Sequence, residues 1–99
     1  MVIYIDIDDT ICRLGEPMKY ESAFPIPKAI KKVNLLYEEG HTIVMWTARG
    51  TKTGIDYTEL TLHQLADWGL KFHELKMGKP AYDLFIDDKN INSKDWLNE

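Results

Sequence analysis

Asp6, Asp8 and Thr10 follow directly on the apolar run Val2-Ile3-Tyr4-Ile5, and a second acidic pair, Asp87-Asp88, follows Leu84-Phe85-Ile86. Between them, Thr47 closes the run Ile43-Val44-Met45-Trp46, Arg49 stands two residues on, and Lys79 lies in Gly78-Lys79-Pro80. Carboxylates, a hydroxyl and cations set at the ends of apolar strands suit phosphoryl chemistry. A carboxylate can attack phosphorus and carry the group as an aspartyl-phosphate. A second carboxylate two residues on can protonate the leaving oxygen and then activate water. Lys79, the Thr47 hydroxyl and loop amides can hold the remaining phosphate oxygens. Several carboxylates gathered at one point repel strongly without a cation. Oxygen ligands with few histidines favour a hard ion, so Mg²⁺ is the expected cofactor.

The elements that must position these residues alternate along the chain. Val2 to Ile7 reads as a buried strand, and residues 8–24, with Gly15, Pro17, Ser22 and Pro25 in and beside them, as a loop or small flap. A helix is expected from Pro27, with Ile26, Ile30, Val33 and Tyr37 at helical spacing and Gly40 as its cap. His41 to Thr47 reads as a second strand. A second helix is expected from Asp56, where Glu59 completes a capping-box pattern, to Gly69. Phe72 to Leu75 and Tyr82 to Ile86 read as the third and fourth strands, and Ser93 as the cap of a short last helix. This order predicts an α/β fold, a three-layer Rossmann-like parallel sheet in one domain over residues 1–99. Ligands of such sheets bind beyond the carboxyl ends of the strands. With the first strand central and the second and fourth beside it, all the polar motifs would converge there.

Composition narrows the classes. The chain has 99 residues and 44% apolar residues, which predicts a single folded domain. No apolar run approaches the ~20 residues of a membrane span. The net charge of −4 argues against a nucleic-acid surface, which carries a basic stripe. The first residues lack a signal-peptide pattern and Cys12 has no partner, so a cytoplasmic setting is expected. His41, His63 and His73 have no metal-ligand spacing. Asp9 is expected to be solvated or bonded within its loop, and Cys12 to be a small packed residue. Arg49 is placed with the phosphate binders, with pairing to an acidic neighbour as an equal alternative.

The motifs together resemble the haloacid dehalogenase superfamily of phosphohydrolases. Its first motif, D-x-D-x-T after an apolar strand, is matched by Asp6, Asp8 and Thr10. Thr47, Lys79 and the pair Asp87-Asp88 match its second, third and fourth motifs, in family order and over nearly the whole chain. The resemblance implies Asp6 as nucleophile and metal ligand, and Asp8 as general acid and base with its carbonyl on the metal. Thr10 would orient the loop, and Thr47 and Lys79 would bind phosphate. Asp87 and Asp88 would complete the Mg²⁺ site. Little chain separates the motifs, which implies a member without a cap domain. Met45-Trp46-Thr47-Ala48-Arg49-Gly50 and Phe85-Ile86-Asp87-Asp88-Lys89-Asn90 are similar to small capless members linked to capsular-polysaccharide biosynthesis. A phosphorylated sugar or other small metabolite is the expected substrate, and a homo-oligomer the expected assembly.

Two other classes remain at this point. Receiver domains of signalling proteins also combine a parallel sheet, Mg²⁺, Thr, Lys and an aspartyl-phosphate, but place the acidic pair first. A catalytically inactive binding module on the same fold is the third reading.

Overall fold

The computed structural model describes residues 1–99. Strand β1, Val2–Ile5, opens the chain. A small flap follows, in which β2, Cys12–Arg13, pairs antiparallel with β3, Phe24–Pro25, around a 3₁₀ turn at Tyr20–Ser22. Helix α1, Pro27–Glu38, starts with its proline in the first turn, where no backbone donor is lost. It stops at Gly40, whose φ of +94° suits a residue without a side chain. Strand β4, Thr42–Trp46, leads to helix α2, Thr58–Asp67, which Gly69 ends in the same way at φ +70°. Strand β5, Glu74–Lys76, and helix α3, Ser93–Leu97, complete the elements.

The sheet is parallel in the order β1-β4-β5, a Rossmann-like α/β arrangement. Each strand is reached by a helical crossover, as parallel strands require. Below the start of β5 the ladder continues through a side chain. Ile43 donates its amide to Nδ1 of His73 at 3.0 Å, and the His73 amide donates to the Ile43 carbonyl at 2.9 Å. Tyr37 of α1 stacks on that imidazole with ring centroids 4.6 Å apart.

The register puts Ile3, Ile5, Ile43, Met45 and Leu75 on one sheet face. Against them pack Ala29, Ile30 and Val33 of α1, Leu65 of α2 and Leu70, with Trp96 and Leu97 of α3 at the margin. Asn34 ties the helical layer together. Its amide nitrogen donates to the Gly69 carbonyl at 2.9 Å, and its oxygen accepts from the Lys71 amide at 2.8 Å.

Three expectations are corrected. First, β4 is central and β1 lies at the edge. Second, the sheet is covered on one face, so there are two layers in place of three. Both crossovers advance in the same direction, and right-handed connections then put both helices on one side. On the other face no helix packs; Val2, Tyr4, Thr42 and Glu74 are exposed there, while Val44, on the central strand between Tyr4 and Glu74, is 3% exposed. The Cα radius of gyration, 13.1 Å, is that of a compact 100-residue chain, so the helix-free face does not reflect expansion. Third, residues 82–86 form no strand; Leu84 is 74% and Ile86 86% exposed. The Lys79 amide donates to the Thr47 carbonyl at 3.0 Å, which pins the chain at the carboxyl end of the sheet. A parallel strand must start at the opposite end, about 16 Å away for five residues. Residues 80–81 span at most about 7 Å. No main-chain hydrogen bond forms within residues 80–91 or from them to the rest of the chain.

Smaller differences lie at element ends. Asp56 is not the N-cap of α2, which is Tyr57; its Oδ1 accepts from the Thr58 amide at 2.9 Å. The N-cap of α3 is Asn92, whose Oδ1 accepts from the Lys94 amide, and Ser93 turns its hydroxyl to the Asp9 carbonyl.

Candidate active site

Asp6 leaves β1 at its carboxyl end, and residues 7–12 form a tight loop. The Ile7 carbonyl accepts from the amides of Thr10 and Ile11 at 3.1 and 2.9 Å. Asp9 takes φ +61°, a conformation that Asp tolerates better than most residues. Ile7 and Ile11 are fully buried and anchor the loop, which leaves Asp6, Asp8 and Thr10 facing the site. Asp9 points outward and pairs with Arg13 at 3.6 Å, in line with its expected loop role.

Two carboxylates and two cations meet here as separate pairs. Lys79 Nζ lies 3.5 Å from Asp6 Oδ1, and the Thr10 hydroxyl donates to Asp6 Oδ2 at 3.4 Å. Burial pushes the Asp6 carboxyl above its ordinary range, and the charge of Lys79 opposes that rise. Lys79 also lies against the faces of Trp46 and Tyr82, 5.6 and 5.4 Å from their centroids. Such ring faces favour the protonated amine.

Asp8 is held by Arg49 in a two-bond clamp. Nε donates to Oδ2 at 3.0 Å and Nη2 to Oδ1 at 2.9 Å. The other terminal nitrogen, Nη1, donates to Gln64 Oε1 at 2.6 Å and Thr61 Oγ1 at 3.2 Å, both on α2. Gln64 in turn donates to the Tyr20 carbonyl, and the Tyr20 ring covers the guanidinium at 4.9 Å. Burial works against the Arg49 charge, but the hydrogen bonds and field of Asp8 outweigh it and raise its pKa. Of the two readings of Arg49, phosphate binding or pairing with an acidic neighbour, the geometry shows the second. With all three guanidinium nitrogens engaged, it faces inward and orients Asp8. Thr61, Gln64 and Tyr20 were not singled out by sequence. Thr61 and Gln64 stand one helical turn apart, and their burial on α2 is the only feature that marks them.

Thr47 is 1% exposed. Its hydroxyl accepts from the Arg49 amide at 3.1 Å, which leaves its proton free to donate. One residue thus links the Lys79 backbone and the Arg49 turn. Gly50 follows at φ +82°, and a Cβ there would meet the Ile55 carbonyl oxygen at 2.0 Å. Cys12 Sγ lies 3.5 Å from Asp8 Oδ1, and burial, then the Asp8 charge, pushes its thiol up to about 12.

Asp6, Asp8, Thr10, Thr47, Arg49 and Lys79 are thus brought together by direct contacts or through one neighbour. Asp87 and Asp88 are not. Both are exposed, beside a turn, and neither makes an ion pair or hydrogen bond. The crowd of four carboxylates expected from sequence is two carboxylates here, each with its own basic partner.

No family model and no curated protein matches this chain. A solved crystal structure of a Vibrio cholerae protein superposes with a TM-score of 0.88. The match covers 100% of this chain and 89% of that one, at 21% sequence identity. At that identity the likeness establishes the shared fold alone.

Proposed function

We propose that this chain is a phosphomonoesterase of the haloacid dehalogenase type, without a cap domain, in which Asp6 is the nucleophile. The observation that carries the reading is the contact of Asp6 with Lys79 and Thr10 at the carboxyl end of β1. A half-exposed carboxylate is free to attack, and Lys79 beside it attracts a phosphoryl group. In the reaction, an Asp6 oxygen forms a bond to phosphorus and the bond to the leaving oxygen breaks. Asp8 gives that oxygen a proton, then takes one from the water that hydrolyses the aspartyl-phosphate. Both Asp8 oxygens accept from Arg49, so Asp8 must loosen one of these bonds to carry a proton. Lys79 and the Thr47 hydroxyl bind the non-transferring oxygens.

A hard cation suits the donors present. The Asp6 carboxylate is one oxygen ligand, and the Asp8 carbonyl, which accepts no hydrogen bond in the protein, is a second. Mg²⁺ bound there would supply positive charge against the phosphate. The resemblance adds Asp87 and Asp88, which lie outside this set in the structure. Their part is tested by whether Asp87→Asn changes the Mg²⁺ concentration needed for half-maximal rate. The open site suits the end of a phosphorylated sugar or a similar small metabolite.

The test is inorganic phosphate release from an aryl phosphate with Mg²⁺, for wild type and Asp6→Asn. Metal-dependent release lost at least 1,000-fold in the variant is the expected result. Equal release from both proteins would remove Asp6 from the chemistry.

A further inference from the structure

We infer that Gln64 is a positioning residue that ties the flap to the Arg49 guanidinium, so that the seating of the flap and the orientation of Asp8 depend on one side-chain amide. Its effect on rate rests on the phosphatase reading; the linkage itself does not. Gln64 lies on α2, nearly buried, and uses both ends of its amide. Oε1 accepts from Arg49 Nη1 at 2.6 Å, and Nε2 donates to the Tyr20 carbonyl at 2.7 Å. The partners fix this orientation, because a guanidinium only donates and a carbonyl only accepts.

On the flap side, this bond has no equal. No other hydrogen bond joins residues 14–23 to the chain outside the flap. Their remaining bonds close within it: the Gly15 amide donates to the Ser22 carbonyl at 3.1 Å, the Ser22 amide to Lys19 at 3.0 Å and the Ala23 amide to Tyr20 at 3.1 Å. The Tyr20 ring meets Tyr57 edge-on and covers the same guanidinium at 4.9 Å. Tyr20 thus reaches Arg49 twice, by its ring and through Gln64.

On the site side, Asp8 occupies Nε and Nη2 of Arg49. When Asp8 releases one of these bonds to carry a proton, the guanidinium must not follow it. What keeps it in place is the Tyr20 ring and the partners of Nη1, of which Gln64 is nearer than Thr61, at 3.2 Å. A hydrogen bond from a charged donor is also the stronger kind. A flap that lifts removes the ring and one of the two bonds that aim the Gln64 amide.

Two substitutions separate the halves of this link. Gln64→Met keeps the length of the side chain and removes both bonds. Gln64→Glu keeps an acceptor for Arg49 but turns a second acceptor on the Tyr20 carbonyl, which releases the flap alone. Hydrogen exchange followed by nuclear magnetic resonance reads the linkage. In Gln64→Met, the amides of Gly15, Ser22 and Ala23 and the Nε–H of Arg49 should each quicken at least ~10-fold more than the amides of β4. In Gln64→Glu, the flap amides should quicken alike while the Arg49 Nε–H stays protected. Flap exchange as in wild type in either variant, Nε–H exchange as in wild type in Gln64→Met, or quickening that is uniform over flap and β4 overturns the proposal. Phosphate release from an aryl phosphate with Mg²⁺ reads the effect on rate. General acid–base catalysis contributes roughly 10²–10⁴-fold, so kcat of Gln64→Met should fall at least ~10-fold. KM should stay within about threefold, because Gln64 touches neither Asp6 nor Lys79. An unchanged kcat beside an inactive Asp6→Asn overturns the role at Asp8. Release that is absent from wild type, or equal in Asp6→Asn, counts against the phosphatase reading, and exchange then decides the linkage.

Discussion

At the residue scale, the site is two ion pairs with different exposure and different work. Lys79 and Asp6 face solvent in part, with side chains 13% and 36% exposed. Arg49 is closed off entirely and fixes the orientation of Asp8. Arg49→Met leaves Asp8, Thr61 and Gln64 without their donor. Breaking a buried pair in this way costs about 3 kcal/mol. Urea unfolding should show that loss, and Arg49→Lys should recover only part of it, because an ammonium cannot form the two-bond clamp. Stability unchanged in Arg49→Met would mean the clamp does no structural work.

Cys12 gives a pH prediction. Its thiol ionises at 9.0 in the absence of burial and at about 12 in the folded chain. The folded state holds the proton more tightly, so unfolding releases it between those values. The stability from this group is whole below pH 9 and is lost as pH rises toward 12. Modification by a thiol reagent at pH 8 should therefore await unfolding by denaturant. Rapid labelling of the native protein would contradict the burial.

At the element scale, the parts legible in sequence were those governed by local rules. Pro27 and Gly40 bracket α1, Gly69 ends α2, and β-branched runs form β1 and β4. The motif loop was legible for the same reason, since Asp6, Asp8 and Thr10 lie within five residues on one strand end. Segment 82–86 was not. Its composition is that of a strand, but where a strand can form depends on the position of Lys79, fixed by a carbonyl 32 residues earlier in the chain. The role of Arg49 was left open for a similar reason. Its partners Thr61 and Gln64 are distant in sequence, and nothing local distinguishes an inward arginine from one aimed at substrate.

Two predictions belong to this scale. Gly50→Ala forces a side chain into the Ile55 carbonyl at positive φ, and strain of this kind costs about 1–3 kcal/mol. Thermal melting should record a loss at the upper end of that range or beyond, and an unchanged melt would contradict the close approach. Asn34→Ala removes both bonds from α1 to the Gly69–Lys71 turn. At about 1 kcal/mol each, urea unfolding should report a loss near 2 kcal/mol. Retained stability would mean water replaces the clamp at no cost.

At the scale of the whole molecule, a three-stranded sheet is covered by helices on one face, and its other face carries no helix. The site lies at the carboxyl ends of β1 and β4, where parallel sheets place their ligands. No helix is long and apolar enough to cross a membrane.

The central claim is that Asp6 carries the phosphoryl group. Its most direct test is acid quenching of the wild-type protein during turnover of a labelled aryl phosphate with Mg²⁺, followed by peptide mapping. The account predicts one acid-stable, hydroxylamine-labile phosphoryl group on Asp6, absent from Asp6→Asn. Sustained phosphate release with no label on Asp6, or label on another residue, would contradict it.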